Sequence, residues 1–96
     1  MNTSYEITIK IRTPDGVTDI GSFSLGTDLD FALSTFSNLK GKNNDSDNAV
    51  ICLCLVEKSE KASPRQLNSI GCILNEYAEN TKIIARDIFK FLSLEK

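Results

Sequence analysis

Cys52, Cys54 and Cys72 are the side chains of this 96-residue sequence best suited to covalent or metal chemistry. Two of them stand one residue apart in the most apolar run of the chain, AVICLCLVEKSE, from Ala49 to Glu60. On a β-strand, residues two apart share a face, so Cys52 and Cys54 lie beside Val50 and Val56, while Ile51, Leu53 and Leu55 occupy the other side. Such positions are roughly 6 to 7 Å apart along the strand, beyond the Cβ separation of an unstrained disulfide. A closed zinc site takes about four ligands, and the chain has three cysteines and no histidine. The thiols therefore read as packing groups, with Cys72 a small hydrophobe beside Ile70 and Leu74. No metal and no cofactor is expected.

Catalysis has little else to draw on. Without histidine the chain lacks the usual general acid and base near neutral pH, and the usual partner of a nucleophilic serine or cysteine. The close carboxylate pairs, Asp28 with Asp30 and Glu76 with Glu79, fit a helix start and a solvated helix face. GVTDIGS spaces its glycines like a phosphate loop, but Ser22 stands where the lysine belongs. NNDSDN resembles a calcium loop, yet with Asn43 as position one, Asn48 replaces the glycine and Cys54 the bidentate glutamate. An enzyme is not expected.

The elements that would carry these residues follow from periodicity. Tyr5, Ile7, Ile9 and Ile11 alternate with Glu6, Thr8, Lys10 and Arg12, the pattern of a half-exposed strand. Thr13-Pro14-Asp15-Gly16 then turns the chain into a second antiparallel strand, from about Val17 to Leu25, with a bulge near Gly21. Leu29, Ala32, Leu33, Phe36 and Leu39 recur at helical spacing, with Thr27 as cap and Gly41 as stop. A polar loop over KNNDSDN leads to the third strand. Ser63-Pro64-Arg65-Gln66 has the form of a helix start, and Leu67, Ile70, Leu74, Tyr77, Ile84, Ile88 and Leu92 trace a helical stripe from there. A stripe that long predicts a break near Asn80-Thr81; the run Lys82 to Arg86 also fits a short fourth strand. The result is one small α+β domain over residues 1–96, of order β-β-α-β-α-α, with an N-terminal antiparallel hairpin and helices packed on the sheet.

Composition narrows the function class. The chain is 41% hydrophobic and 25% charged, with a net charge of −2, so it offers no large basic field for nucleic acid or anionic lipid. MNTSYEITIK does not read as a secretory signal, and no stretch is apolar for the length of a membrane span, so a cytoplasmic place and no membrane contact are expected. In a three-stranded sheet the third strand would lie at an edge, although its two apolar faces suit a centre. Three arrangements resolve that conflict: the C-terminal helices wrap both faces, residues 82 to 86 add a covering strand, or another chain pairs with that strand. The expected function is accordingly a small protein-interaction module, such as an inhibitor, immunity-type protein or accessory subunit, in a homodimer or with another protein. The interface is expected at Val50, Cys52, Cys54, Val56, Leu67, Ile70 and Leu74. A small-ligand binding domain or minimal carboxylate enzyme is the alternative, and nucleic-acid binding along Lys82, Arg86 and Lys90 ranks last.

Overall fold

Alternation builds the first hairpin as expected. In the computed structural model, which describes residues 3–43 and 50–93, β1 (Thr3–Thr13) and β2 (Gly16–Gly26) pair antiparallel. Tyr5, Ile7 and Ile9 are buried while Glu6, Thr8 and Lys10 between them are not fully covered. Register shifts lie between Ile9 and Lys10 and between Tyr5 and Glu6. The first leaves Ile20 without a partner, which is the bulge the glycine at position 21 marks. Gly16 has φ +133°, a conformation side chains rarely adopt, and accepts a hydrogen bond from the Thr13 hydroxyl at 3.1 Å.

Helix α1 (Leu29–Ser37) is capped by Asp28 rather than Thr27, whose successor's carboxylate accepts the Phe31 N–H at 3.1 Å. It ends at Ser37, four residues before Gly41. Gly41 does a different job from a helix stop. A Cβ there would stand 2.5 Å from the Gly71 carbonyl oxygen, so glycine lets β3 (Lys42–Asn43) reach its partners Gly71 and Ile70. The loop expected from Lys42 thus opens with two strand residues, and Asn44 to Asn48, with the calcium-like pattern, lies outside the described residues.

The main correction concerns residues 62–72. They form β5 (Ala62–Cys72), a strand antiparallel to β4 (Ile51–Ser59), and not the first turns of a helix. A register shift between Leu55 and Val56 makes Leu67 the extra residue of a bulge, because Gln66 faces Val56 and Asn68 faces Leu55. That insertion stretches the strand period from two to three between Leu67 and Ile70, which imitates helical spacing. Pro64 sits at the second irregularity, where a missing N–H costs no ladder bond. Cys72 accordingly belongs to a strand.

The sheet order is β2-β1-β4-β5-β3. The apolar strand β4 therefore lies in the middle, paired with β1 on one side and β5 on the other; the edge position expected for it does not arise. The fold remains α+β, with two strands more, the two-residue β3 and β5, and one helix fewer than the expected order.

Helix α2 (Leu74–Ile88) continues into a π-helical turn, Phe89–Ser93, with no break at Asn80 and no strand at Lys82 to Arg86. Both helices pack on one face of the sheet, where Ala32, Phe36 and Ile84 meet Ile7, Ile9, Leu25, Leu53, Leu55 and Ile70. Ile7, Leu25, Leu53, Leu55 and Ile84 have essentially no exposed surface, each contributing about 1.5 to 3 kcal/mol by burial. Asn80, fully buried, receives the Lys40 N–H on Oδ1 at 2.7 Å and donates from Nδ2 to the Lys40 carbonyl at 2.8 Å. One side chain thus satisfies both backbone groups of the segment leaving α1 and ties it to α2. Asn80→Ala should lower stability by about 2 kcal/mol, since two part-buried hydrogen bonds to the Lys40 backbone are lost; urea unfolding of the two proteins measures it, and a loss below about 0.5 kcal/mol would contradict the clamp.

Candidate functional site on the helix-free face

With both helices on one side, the other face of the sheet is covered by no element among the described residues. Alternation and pairing place its residues. Thr8, Cys54 and Ser69 form one row across β1, β4 and β5; Lys10, Cys52 and Gly71 form the next. Ser22 and Asp19 of β2 extend these rows opposite Thr8 and Lys10. The middle of the face is therefore made of small side chains, and its neighbours already close over it: Cys54 is 4% and Ser69 6% exposed. The Thr8 hydroxyl oxygen is shut off from solvent and makes no hydrogen bond. Charges stand around this floor, with Lys58 3.1 Å from Glu6.

At one end the face becomes apolar. The Arg12 N–H donates to the Val50 carbonyl at 2.8 Å, Arg12 pairs with Val17, and Ile51 pairs with Cys72, so Val17, Arg12, Val50 and Ile73 continue as a row across four chain segments. Val17, Val50 and Ile73 are each more than half exposed, and Leu74, next in the chain, is 71% exposed. Exposed apolar residues gathered this way are more informative than the same number scattered.

The seven residues expected at an interface divide between the two faces. Val50, Cys52, Cys54 and Val56 share the helix-free face, and Leu74 lies near its apolar end. Ile70 is 3% exposed in the core beneath the helices, and Leu67 is half-buried against that core, so both lie on the helical side of the sheet. Ile73 and Val17 join the exposed row unannounced by periodicity; their position is a consequence of pairing with strands distant in sequence.

The cysteines also differ from one another. Cys72 is buried in the core. Cys52 and Cys54 turn toward each other until their sulfurs are 3.5 Å apart, much closer than their spacing along the strand. Cys52 is half-buried, and burial, followed by the sulfur contact and the negative potential of Cys54, pushes its thiol from 9.0 up to about 12, against a smaller opposing pull from Lys10.

On the helical side, Asp28 and Glu76 are occupied as caps, Glu76 accepting the Ile73 N–H at 3.0 Å. Glu57 bonds Arg65 at 2.8 Å and stands 3.5 Å from the Tyr5 hydroxyl. A shallow cavity of about 230 Å³ is lined by Phe31, Asp87, Lys90 and Phe91, with the two rings stacked at 4.2 Å. Asp87 there is engaged by Thr35 and Arg86. Lys82, Arg86 and Lys90 are exposed along α2 and the turn that follows it.

No protein-family model, curated protein or solved structure matches the chain.

Because only the thiolate reacts with alkylating reagents, the native rate at Cys52 should climb about tenfold per pH unit from pH 7 to 11 without levelling. The unfolded chain should level off above pH 9. The same shift makes the protonated thiol the form that favours folding, so its contribution to stability is complete below pH 9 and lost as pH rises toward 12. Site-resolved mass spectrometry of alkylation reads the rates; a native plateau near pH 9 would contradict the burial.

Proposed function

We propose that the chain is a small protein-interaction module without catalytic activity, of the inhibitor, immunity-type or accessory-subunit kind, which associates with a second copy of itself through the helix-free face of its sheet. The observation that carries this reading is the exposed row of Val17, Arg12, Val50 and Ile73, apolar except for Arg12 and extended by Leu74, on a face that no described element covers. A face rather than an edge is favoured because both edges are blunted. The outer strand β2 carries two register shifts and Asp19, and the outer part of β5 carries Pro64, Arg65 and two shifts of its own.

Size supports a second copy as the occupant. The molecule measures 42 × 31 × 20 Å, the short dimension being its two layers, so the broad face exceeds the about 800 Å² per partner of a standard interface. Two faces with small central residues can approach to the usual separation of stacked sheets, about 10 Å. Free thiols agree with a cytoplasmic, reducing setting, and no helix among the described residues is long and apolar enough to cross a membrane. The small-ligand alternative has less support, since the cavity beside Phe31 and Phe91 is shallow, small and has its carboxylate already bonded.

Sedimentation equilibrium at micromolar concentration should give the mass of two chains. The double variant Val50→Lys, Ile73→Lys should give the mass of one chain with unchanged far-ultraviolet circular dichroism. Both positions are exposed in the monomer, and a two-fold interface brings each new charge in twice. A one-chain mass for the parent protein would overturn the homodimer, and a two-chain mass for the folded variant would overturn this face.

A further inference from the structure

With the helix-free face given to a second copy, the helical side is left for any other partner, and there the cavity beside Phe31 and Phe91 joins three features. Its walls are two half-buried rings stacked at 4.2 Å. The second ring belongs to the π-helical turn Phe89–Ser93, a rare geometry that recurs at functional sites. Its charges are unequally engaged. Asp87 is held through one oxygen by the Thr35 hydroxyl at 3.3 Å and through the other by Arg86 at 3.5 Å, whereas Lys90 makes no ion pair among the described residues. We infer that this cavity receives an aromatic side chain from an acidic segment of a partner protein.

Size decides against a free ligand. The cavity of about 230 Å³ falls below the roughly 300 to 1,000 Å³ of pockets that enclose one. It has room for a single ring, and aromatic anchors seated in such hollows carry much of the binding energy between proteins. Charge decides what flanks the ring. Lys82, Arg86 and Lys90 recur every fourth residue along α2 and the turn, all exposed, so they stand about 6 Å apart along the axis on one side of the helix and end at the cavity. Carboxylates on either side of an anchored ring can reach Lys90 and Arg86 and form charge-assisted hydrogen bonds there. The acids of this side stand apart: Glu79 lies beyond Lys82 at the far end of the line, and Asp30 is about 100° around α1 from Phe31.

This inference takes from the proposed function only that the chain works by binding protein; the cavity lies within one chain and needs no dimer. The probe is the synthetic peptide acetyl-Asp-Glu-Trp-Glu-Asp-amide, titrated into isotope-labelled protein while amide chemical shifts are recorded. Shifts should centre on Phe31, Asp87, Lys90 and Phe91 and saturate with a Kd of about 1 mM or below. The peptide with alanine for tryptophan, or with its acids replaced by amides, should bind about fivefold more weakly. Lys90→Ala and Arg86→Ala should each weaken binding about threefold, as should about 0.5 M salt, and Asp30→Asn should strengthen it. These positions are exposed, so the variants keep the fold. Val50→Lys, Ile73→Lys should bind the peptide as the parent does, which keeps failure of the dimer distinct from failure of this site. No saturation by about 5 mM peptide, equal affinity for the alanine peptide, or unchanged binding by Lys90→Ala would each overturn the site. Tighter binding of free indole-3-acetate, or of a ten-nucleotide deoxythymidine strand, at the same residues would overturn the class of partner.

Discussion

Everything in this structure depends on the placement of β4 between β1 and β5. Ile51, Leu53 and Leu55 project from it into the core, opposite Ile11, Ile9 and Ile7 of β1 and, for Ile51 and Leu53, opposite Cys72 and Ile70 of β5. A strand so apolar would be a hazard at an edge. In the centre both of its backbone edges are satisfied, and its side chains become the seam along which the hairpin, the C-terminal strand and the two helices meet. The connections around it are then tightly constrained: Gly41 must approach the Gly71 carbonyl without a Cβ, and Asn80 must hold Lys40.

A central strand has two faces, and here they have diverged. The helical face is closed by Phe36, Ala32 and Ile84 and contains the buried aliphatic residues. The opposite face has small polar or thiol side chains at its middle and exposed apolar ones at one end. Folding alone does not call for that distribution, since solvated antiparallel sheets ordinarily carry polar residues outward. The apolar row at Val17, Val50 and Ile73 is the part of the surface that departs most from this rule, and the reading of the chain as an interaction module rests there.

The sequence was legible where structure is local. Alternation in Tyr5 to Ile11, the turn at Pro14 to Gly16, the irregularity near Gly21 and the helical spacing from Leu29 each concern neighbours within a few residues, and each matches the fold. The failures share a different origin. Leu67 and Ile70 looked helical because a bulge, set by the register against Leu55 and Val56, shifted a strand by one residue. Pro64 looked like a helix start because the site of a strand irregularity tolerates proline as well. Asn80 looked like a helix break because its partner, Lys40, lies forty residues away. With residues 62–72 as helix, β4 falls at an edge. The candidate site was legible only in part for the same reason: Val50, Cys52, Cys54 and Val56 follow from alternation on one strand, whereas Val17 and Ile73 are joined to them only through pairing, and the 3.5 Å between the two sulfurs is a matter of side-chain rotation.

The claim that the helix-free face is where two copies meet can be measured without altering the protein. In a mixture of isotope-labelled and unlabelled chains, isotope-filtered nuclear Overhauser spectra report only contacts between copies. Such contacts should arise from the methyl groups of Val17, Val50, Ile73 and Leu74. Contacts confined to exposed residues of the helical side, such as Leu29, Leu33 and Phe89, or none at a concentration where the two-chain mass is populated, would contradict it.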